Sequence, residues 1–158
     1  MTLIQAQPWE MRMLLVAKEA FHSQALLDKV QADSSVLQAA YAYCEDITRL
    51  HSRTFYMASG LLPKEKRLAA RALYAFCRIT DDIIDEAEND DQRVHNLAQW
   101  RNNVLSHCPM ADMPVCLAWA DTQAKFNIPR GYAEQLIEGV TRDIQQTRYE
   151  TFAELAEY

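Results

Sequence analysis

Apolar positions recur along this chain at the three-and-four spacing of helices, and no segment shows convincing period-two alternation. Behind Pro8, the residues Met11, Leu14, Leu15, Phe21 and Leu26 give an imperfect apolar face for a leading helical segment within residues 1–33. Residues 31–35 break the pattern, and Ser34 or Ser35 is the expected N-cap of a second helix. Leu37, Tyr41, Cys44 and Ile47 fall roughly in phase and predict that helix over about 35–50. Residues 51–62 read as a turn and a short helix closed by Gly60. Pro63 suits the first position of a longer helix, where its missing N–H costs nothing, and that helix runs to about Ala87. Asp90 or Asp91 is expected to cap the next, to about Ser106. Further helices are predicted over about 112–126 and from Pro129 to about Gln145. Thr151 and Glu154 form a T-x-x-E capping box, which announces one more helix that has barely begun at Tyr158. The chain reads as all-α.

Composition agrees with that pattern. Only three glycines and five prolines interrupt a chain of 158 residues, long enough for one domain with a real core. The net charge of −6, with no basic stripe, argues against nucleic acid as the main partner. No run approaches the roughly 18 apolar residues of a membrane span, and the N-terminus lacks the pattern of a signal peptide. The expected location is the cytoplasm. A peripheral membrane contact through Trp9, Met13 and Leu14 is the lesser alternative to packing of that helix on the core. The four cysteines show no C-x-x-C, and His107, Cys108 and Cys116 match no zinc module, so reduced and mostly buried thiols are expected. His22 and His95 read as ordinary surface or core residues.

The chemistry concentrates in residues 74–85. At 100° per residue, Tyr74, Arg78, Asp81 and Asp85 fall on one stripe about 60° wide, with Asp82 beside it. Ala70, Leu73 and Cys77 flank the same stripe. Asp81 and Asp85 are i,i+4 neighbours of like charge, which costs a few tenths of a kcal/mol in an isolated helix. Between residues 81 and 91 stand Asp81, Asp82, Asp85, Glu86, Glu88, Asp90 and Asp91, with no Lys or Arg among them. Lys64, Lys66 and Arg67 sit at the start of the helix and the acids near its end, the reverse of what the macrodipole favours. Mg²⁺ takes oxygen ligands, commonly one or two carboxylates together with substrate phosphates, and would relieve the repulsion. Glu86 to Asp91 read instead as a solvated cap and loop, and Glu134 and Glu138 as a solvated face.

Two signatures resemble the squalene/phytoene synthase family, the head-to-head prenyl synthases. His51-Ser52-Arg53-Thr54-Phe55 resembles that family's H-S-x-S-F element. Leu73-Tyr74-Ala75-Phe76-Cys77-Arg78, followed by Asp81-Asp82-Ile83-Ile84-Asp85, resembles its first aspartate-rich motif and is long and specific. Leu61-Leu62-Pro63 and Arg67 also match. The resemblance implies a terpenoid-synthase-like helical bundle around an apolar pocket. It implies that Asp81 and Asp85, assisted by Asp82, hold Mg²⁺ against a substrate diphosphate. Tyr74 and Arg78 would contact diphosphate oxygens. His51, Ser52, Arg53 and Thr54 would bind the diphosphate of a second prenyl substrate, and Phe55 would line the pocket. Thr54 stands where the family has serine and keeps the hydroxyl.

Thr141-Arg142-Asp143 and Arg148-Tyr149-Glu150-Thr151-Phe152 resemble the segment that precedes a later family helix, with Asp143 and Tyr158 as pocket candidates. A second aspartate-rich motif is absent through Tyr158, so the chain reads as the N-terminal part, about half, of a single synthase domain. The implied activity is condensation of two geranylgeranyl diphosphates to phytoene through a cyclopropylcarbinyl diphosphate. Squalene or dehydrosqualene synthesis from farnesyl diphosphate is the alternative. A non-catalytic protein that binds a prenyl diphosphate or a partner is a third.

Overall fold

The computed structural model describes residues 11, 13–15, 18, 30, 32–106, 112–145 and 148–157. Pro8, Trp9, Phe21, His22, Leu26, His107, Cys108 and Tyr158 lie outside them, as does the side chain of Asp143. The described elements are α1 (Ser34–His51), α2 (Arg53–Gly60), α3 (Lys64–Asp85), α4 (Asp90–Val104), α5 (Pro114–Phe126), α6 (Arg130–Gln145) and α7 (Phe152–Glu157). No strand occurs among the described residues, so the all-α expectation holds. Met11, Met13, Leu14 and Leu15 are helical, but each is more than half exposed, so these positions do not pack on the core as expected.

Helix starts differ from the sequence reading by a residue or so, because neighbouring residues compete for each cap. Asp33, not Ser34 or Ser35, takes the position before α1 and makes no side-chain cap bond. Pro63 stands just outside α3, in extended backbone. Asn89 rather than Asp90 or Asp91 caps α4, its side chain accepting from the Gln92 N–H at 2.9 Å. The two aspartates occupy the first turn, where the helix dipole favours them. The Thr151 hydroxyl accepts from the Glu154 N–H at 3.2 Å, while the Glu154 carboxylate reaches back to the Glu150 N–H at 2.9 Å. Asn127 closes α5 in the left-handed region, at φ 51°.

Helices α1, α3 and α5 form the centre of the fold by packing on one another. Ala40, Cys44, Ala72, Ala75 and Ala118 are buried there, and such small side chains let the backbones approach closely. Phe76 on α3 fills the middle. It stacks on Trp119 of α5 at 5.1 Å and 2°, and on Trp100 of α4 at 6.2 Å and 21°. Trp100 Nε1 donates to the Thr80 hydroxyl at 2.8 Å, and that hydroxyl donates to the Phe76 carbonyl at 2.8 Å. The same helices are joined by polar contacts: the Tyr41 hydroxyl donates to Asp121 at 2.6 Å, and Lys125 pairs with that carboxylate at 2.7 Å. Helix α6 packs on α4, where Arg101 forms an ion pair with Glu134. Glu134 therefore does not belong to a purely solvated face. Arg130 donates to the terminal carbonyl of Leu105 at 3.1 Å.

The cysteines described are free thiols, with Cys44 and Cys116 buried. Burial pushes both up to about 12. Unfolded thiols ionise near about 8.5, so above that pH the unfolded chain sheds protons that the native state keeps. The stability these thiols contribute is complete below about pH 8.5 and is lost as pH rises towards 12. We expect Cys116→Ala to flatten this alkaline limb by about 1.4 kcal/mol per pH unit. Urea midpoints measured from pH 8 to 11 check it, and parallel slopes for wild type and variant would count against it.

Candidate functional site

The site begins where α1 stops. Ser52 takes an extended conformation, φ −148° and ψ 91°, and turns the chain between α1 and α2. Its hydroxyl accepts from the Phe55 N–H at 3.3 Å, so Ser52 is the N-cap of α2. His51, Arg53 and Thr54 around it are exposed. Phe55, 38% exposed, lays its ring on Tyr74 at 5.1 Å and 22°. This stack joins the two sequence signatures, because Tyr74 opens the acidic stripe of α3.

One turn on, Arg78 is half-buried and turned onto Asp82. Its Nε donates to Asp82 Oδ2 at 3.1 Å, and Nη2 pairs with Oδ1, a two-pronged contact. The structure thus gives Asp82 to Arg78, whereas the resemblance places it at a metal. Asp81 and Asp85 are exposed. The Cys77 thiol is pushed above its ordinary range, first by burial and then by the Asp81 carboxylate.

Among the described residues no group of three or more His, Cys, Asp or Glu side chains is arranged to hold a metal. The donor set still fits Mg²⁺, which needs only one or two protein carboxylates when phosphate and water oxygens complete its shell. Asp81 and Asp85 are the pair that this would use.

The reversed charge of α3 is offset from outside the helix. Arg93 of α4 donates from Nε to the Ile84 carbonyl at 3.1 Å, placing a cation at the C-terminal end that α3 itself leaves without one. The same arginine pairs with Asp90 at 2.8 Å.

Sequence reasoning missed Arg71. It is buried on α3, pairs with Glu45 of α1 at 2.7 Å and reaches Ser59 and Tyr56 of α2. The available signal was helical phase: at 100° per residue Arg71 falls between Arg78 and Asp82, so it extends the polar stripe of α3 towards the start of that helix. The expected site residues otherwise divide into two groups. Phe55 and Tyr74 are engaged with each other, and Arg78 with Asp82. His51 at the end of α1, Arg53 and Thr54 at the start of α2, and Asp81 and Asp85 on α3 are exposed, and the Asp81 carboxylate acts on the Cys77 thiol.

The family described as squalene/phytoene synthase matches residues 48–158, a span that takes in both the Ser52 turn and the α3 stripe. A phytoene synthase of Cereibacter sphaeroides is 36% identical over 124 residues, covering 73% of this chain and 35% of that protein. A 15-cis-phytoene synthase of Synechococcus elongatus is 33% identical over 125 residues, covering 77% and 40%. A phytoene synthase of Mycobacterium tuberculosis is 34% identical over 122 residues, again covering 77% and 40%. The chain therefore spans about 35–40% of the length of these relatives. No solved structure matches it.

Proposed function

The chain belongs to the squalene/phytoene synthase family, and on that footing we propose that it is the N-terminal portion of a prenyltransferase that joins two geranylgeranyl diphosphates head to head into phytoene. The observation that carries the proposal is the Phe55–Tyr74 stack, which brings the His51–Thr54 segment alongside the Tyr74–Asp85 stripe. Two substrates need two diphosphate-binding groups close together. The curated relatives named phytoene synthase favour the geranylgeranyl substrate over farnesyl diphosphate.

In this reading Asp81 and Asp85 hold Mg²⁺, which supplies Lewis acidity toward the departing diphosphate. Arg78 exchanges its Asp82 partner for phosphate oxygens and contributes charge-assisted hydrogen bonds. Tyr74 offers its hydroxyl to the same group. His51, Ser52, Arg53 and Thr54 hold the second diphosphate beside the α2 N-terminus. Phe55 and the Tyr74 ring exclude water from the allylic carbon and present aromatic faces to developing positive charge. The allylic C–O bond of the first substrate breaks as its diphosphate leaves, the double bond of the second attacks that carbon, and loss of a proton closes a cyclopropylcarbinyl diphosphate. Departure of the second diphosphate, rearrangement and loss of a second proton give phytoene.

The proposed protein needs no membrane span, and among the described residues no helix is long and apolar enough to make one. The test is a product assay on the full-length protein with labelled geranylgeranyl and farnesyl diphosphates in Mg²⁺. Phytoene is the expected product. Exclusive use of farnesyl diphosphate would replace this reading with squalene or dehydrosqualene synthesis, and no product from either would remove the catalytic reading.

A further inference from the structure

Helix α2 carries the His51–Thr54 turn at its start, yet little of it is buried. Ser59 is its one buried side chain, while Phe55 is 38% and Met57 is 74% exposed. Eight residues are too few for a helix to persist without tertiary support. That support converges on Arg71, which is 4% exposed. Its Nε donates to Ser59 Oγ at 3.1 Å and its Nη2 to the Tyr56 carbonyl at 3.2 Å. Its guanidinium lies 4.2 Å from the centre of the Tyr56 ring, and Nη1 pairs with Glu45 at 2.7 Å. The Tyr56 hydroxyl closes the circuit by donating to the same Glu45 oxygen at 3.1 Å.

We propose that Arg71 is the positioning residue of the candidate site: its fork fixes α2, and with it the His51–Thr54 segment, against the Tyr74–Asp85 face. It touches no proposed ligand and acts through α2. The role of the segment rests on the proposed diphosphate-binding function; the clamp does not. A planar fork serves three partners in three directions, which the single ammonium of lysine cannot reproduce at the same length. Charge alone is therefore insufficient.

The test compares the full chain with Arg71→Lys, Arg71→Met and Glu45→Gln by amide hydrogen exchange, and then by calorimetric titration with inorganic pyrophosphate in Mg²⁺. We expect amides of residues 53–60 to exchange about tenfold faster or more in both Arg71 variants, the scale of losing hydrogen bonds to a charged group. Amides of residues 115–123 in α5 should keep wild-type protection. Glu45→Gln, which leaves the arginine in place, should show the same selectivity with a smaller change, and it decides the matter if Arg71→Met does not fold. Unchanged protection in 53–60, or a loss spread evenly over α1, α3 and α5, overturns the proposal. In the titration we expect Arg71→Lys to bind pyrophosphate about tenfold more weakly than wild type. A wild type that does not bind pyrophosphate overturns the diphosphate reading, while the exchange pattern still decides the clamp.

Discussion

Asp81→Asn and Asp85→Asn should each abolish Mg²⁺-dependent diphosphate binding while leaving the chain folded. Both carboxylates are exposed on α3, one turn apart, and neither belongs to the buried core. The amide keeps the shape of the side chain and removes the charge, so packing is undisturbed. Removing one of two like charges at i,i+4 also relieves repulsion, and stability should stay level or rise by a few tenths of a kcal/mol. Function should move the other way. A weakened hold on the cation removes an electrostatic stabiliser of the departing anion, a loss of about 10²–10³-fold in turnover, and that is the effect expected in the full-length enzyme. Asp82→Asn is the internal control. Asp82 holds Arg78, so its loss frees the guanidinium and leaves the proposed metal carboxylates intact. A smaller penalty, about 10–100-fold at most, is expected there, the range of a group outside the metal's own ligands. Titration with Mg²⁺ and pyrophosphate, followed by turnover, ranks the three variants. Wild-type Mg²⁺ dependence in both Asp81→Asn and Asp85→Asn would defeat the metal assignment.

Sequence pattern is most informative within a single helix. The stripe of Tyr74, Arg78, Asp81 and Asp85 follows from helical period alone, because every member lies on one continuous helix. The Arg78–Asp82 pair has the same i,i+4 spacing and was equally legible, beside the metal-assisting role that the family resemblance implies for Asp82. The Phe55–Tyr74 stack has no such local rule. The turn at Ser52 is local and legible, but the stack also depends on how Arg71 of α3 seats α2, which is a tertiary fact. Glu134 shows the same limit: an acid on an apparently solvated face meets Arg101 because α4 and α6 pack together. The reversed dipole of α3 looked uncompensated within its own sequence, and the compensating charge comes from Arg93 in the next helix. Cap positions failed for a different reason. In Asp33-Ser34-Ser35 and in Asn89-Asp90-Asp91, three adjacent residues all have cap chemistry, and the register of the helix behind them selects one.

Phe76 gives the largest stability effect. It is 1% exposed and joins three helices, with its ring between Trp119 and Trp100. Phe76→Ala removes both stacks and leaves a cavity walled by two large indoles, which cannot move inward without strain. Trp100 is tied to Thr80 by its ring N–H, and Trp119 lies in the most heavily buried helix, α5. The site therefore relaxes poorly, and the cost should approach the upper part of the usual range for such truncations, about 3–5 kcal/mol. Total stability for a domain is about 5–15 kcal/mol, so this one change removes a large fraction of it. For a chain of this size it corresponds to a fall of about 6–20 °C in Tm. Phe76→Leu separates the two contributions, because it fills most of the volume without an aromatic face. Its smaller loss would measure cavity against stacking, the ring pairs themselves being worth about 0.5–1.5 kcal/mol each. Chemical denaturation with tryptophan fluorescence reads both variants, since two of the chain's three indoles, Trp100 and Trp119, are those that Phe76 touches. A Phe76→Ala midpoint within error of wild type would mean that α3, α4 and α5 do not meet at this ring. The placement of Tyr74 and Arg78 would then lose its support as well, because they stand two residues to either side of Phe76 on the same helix.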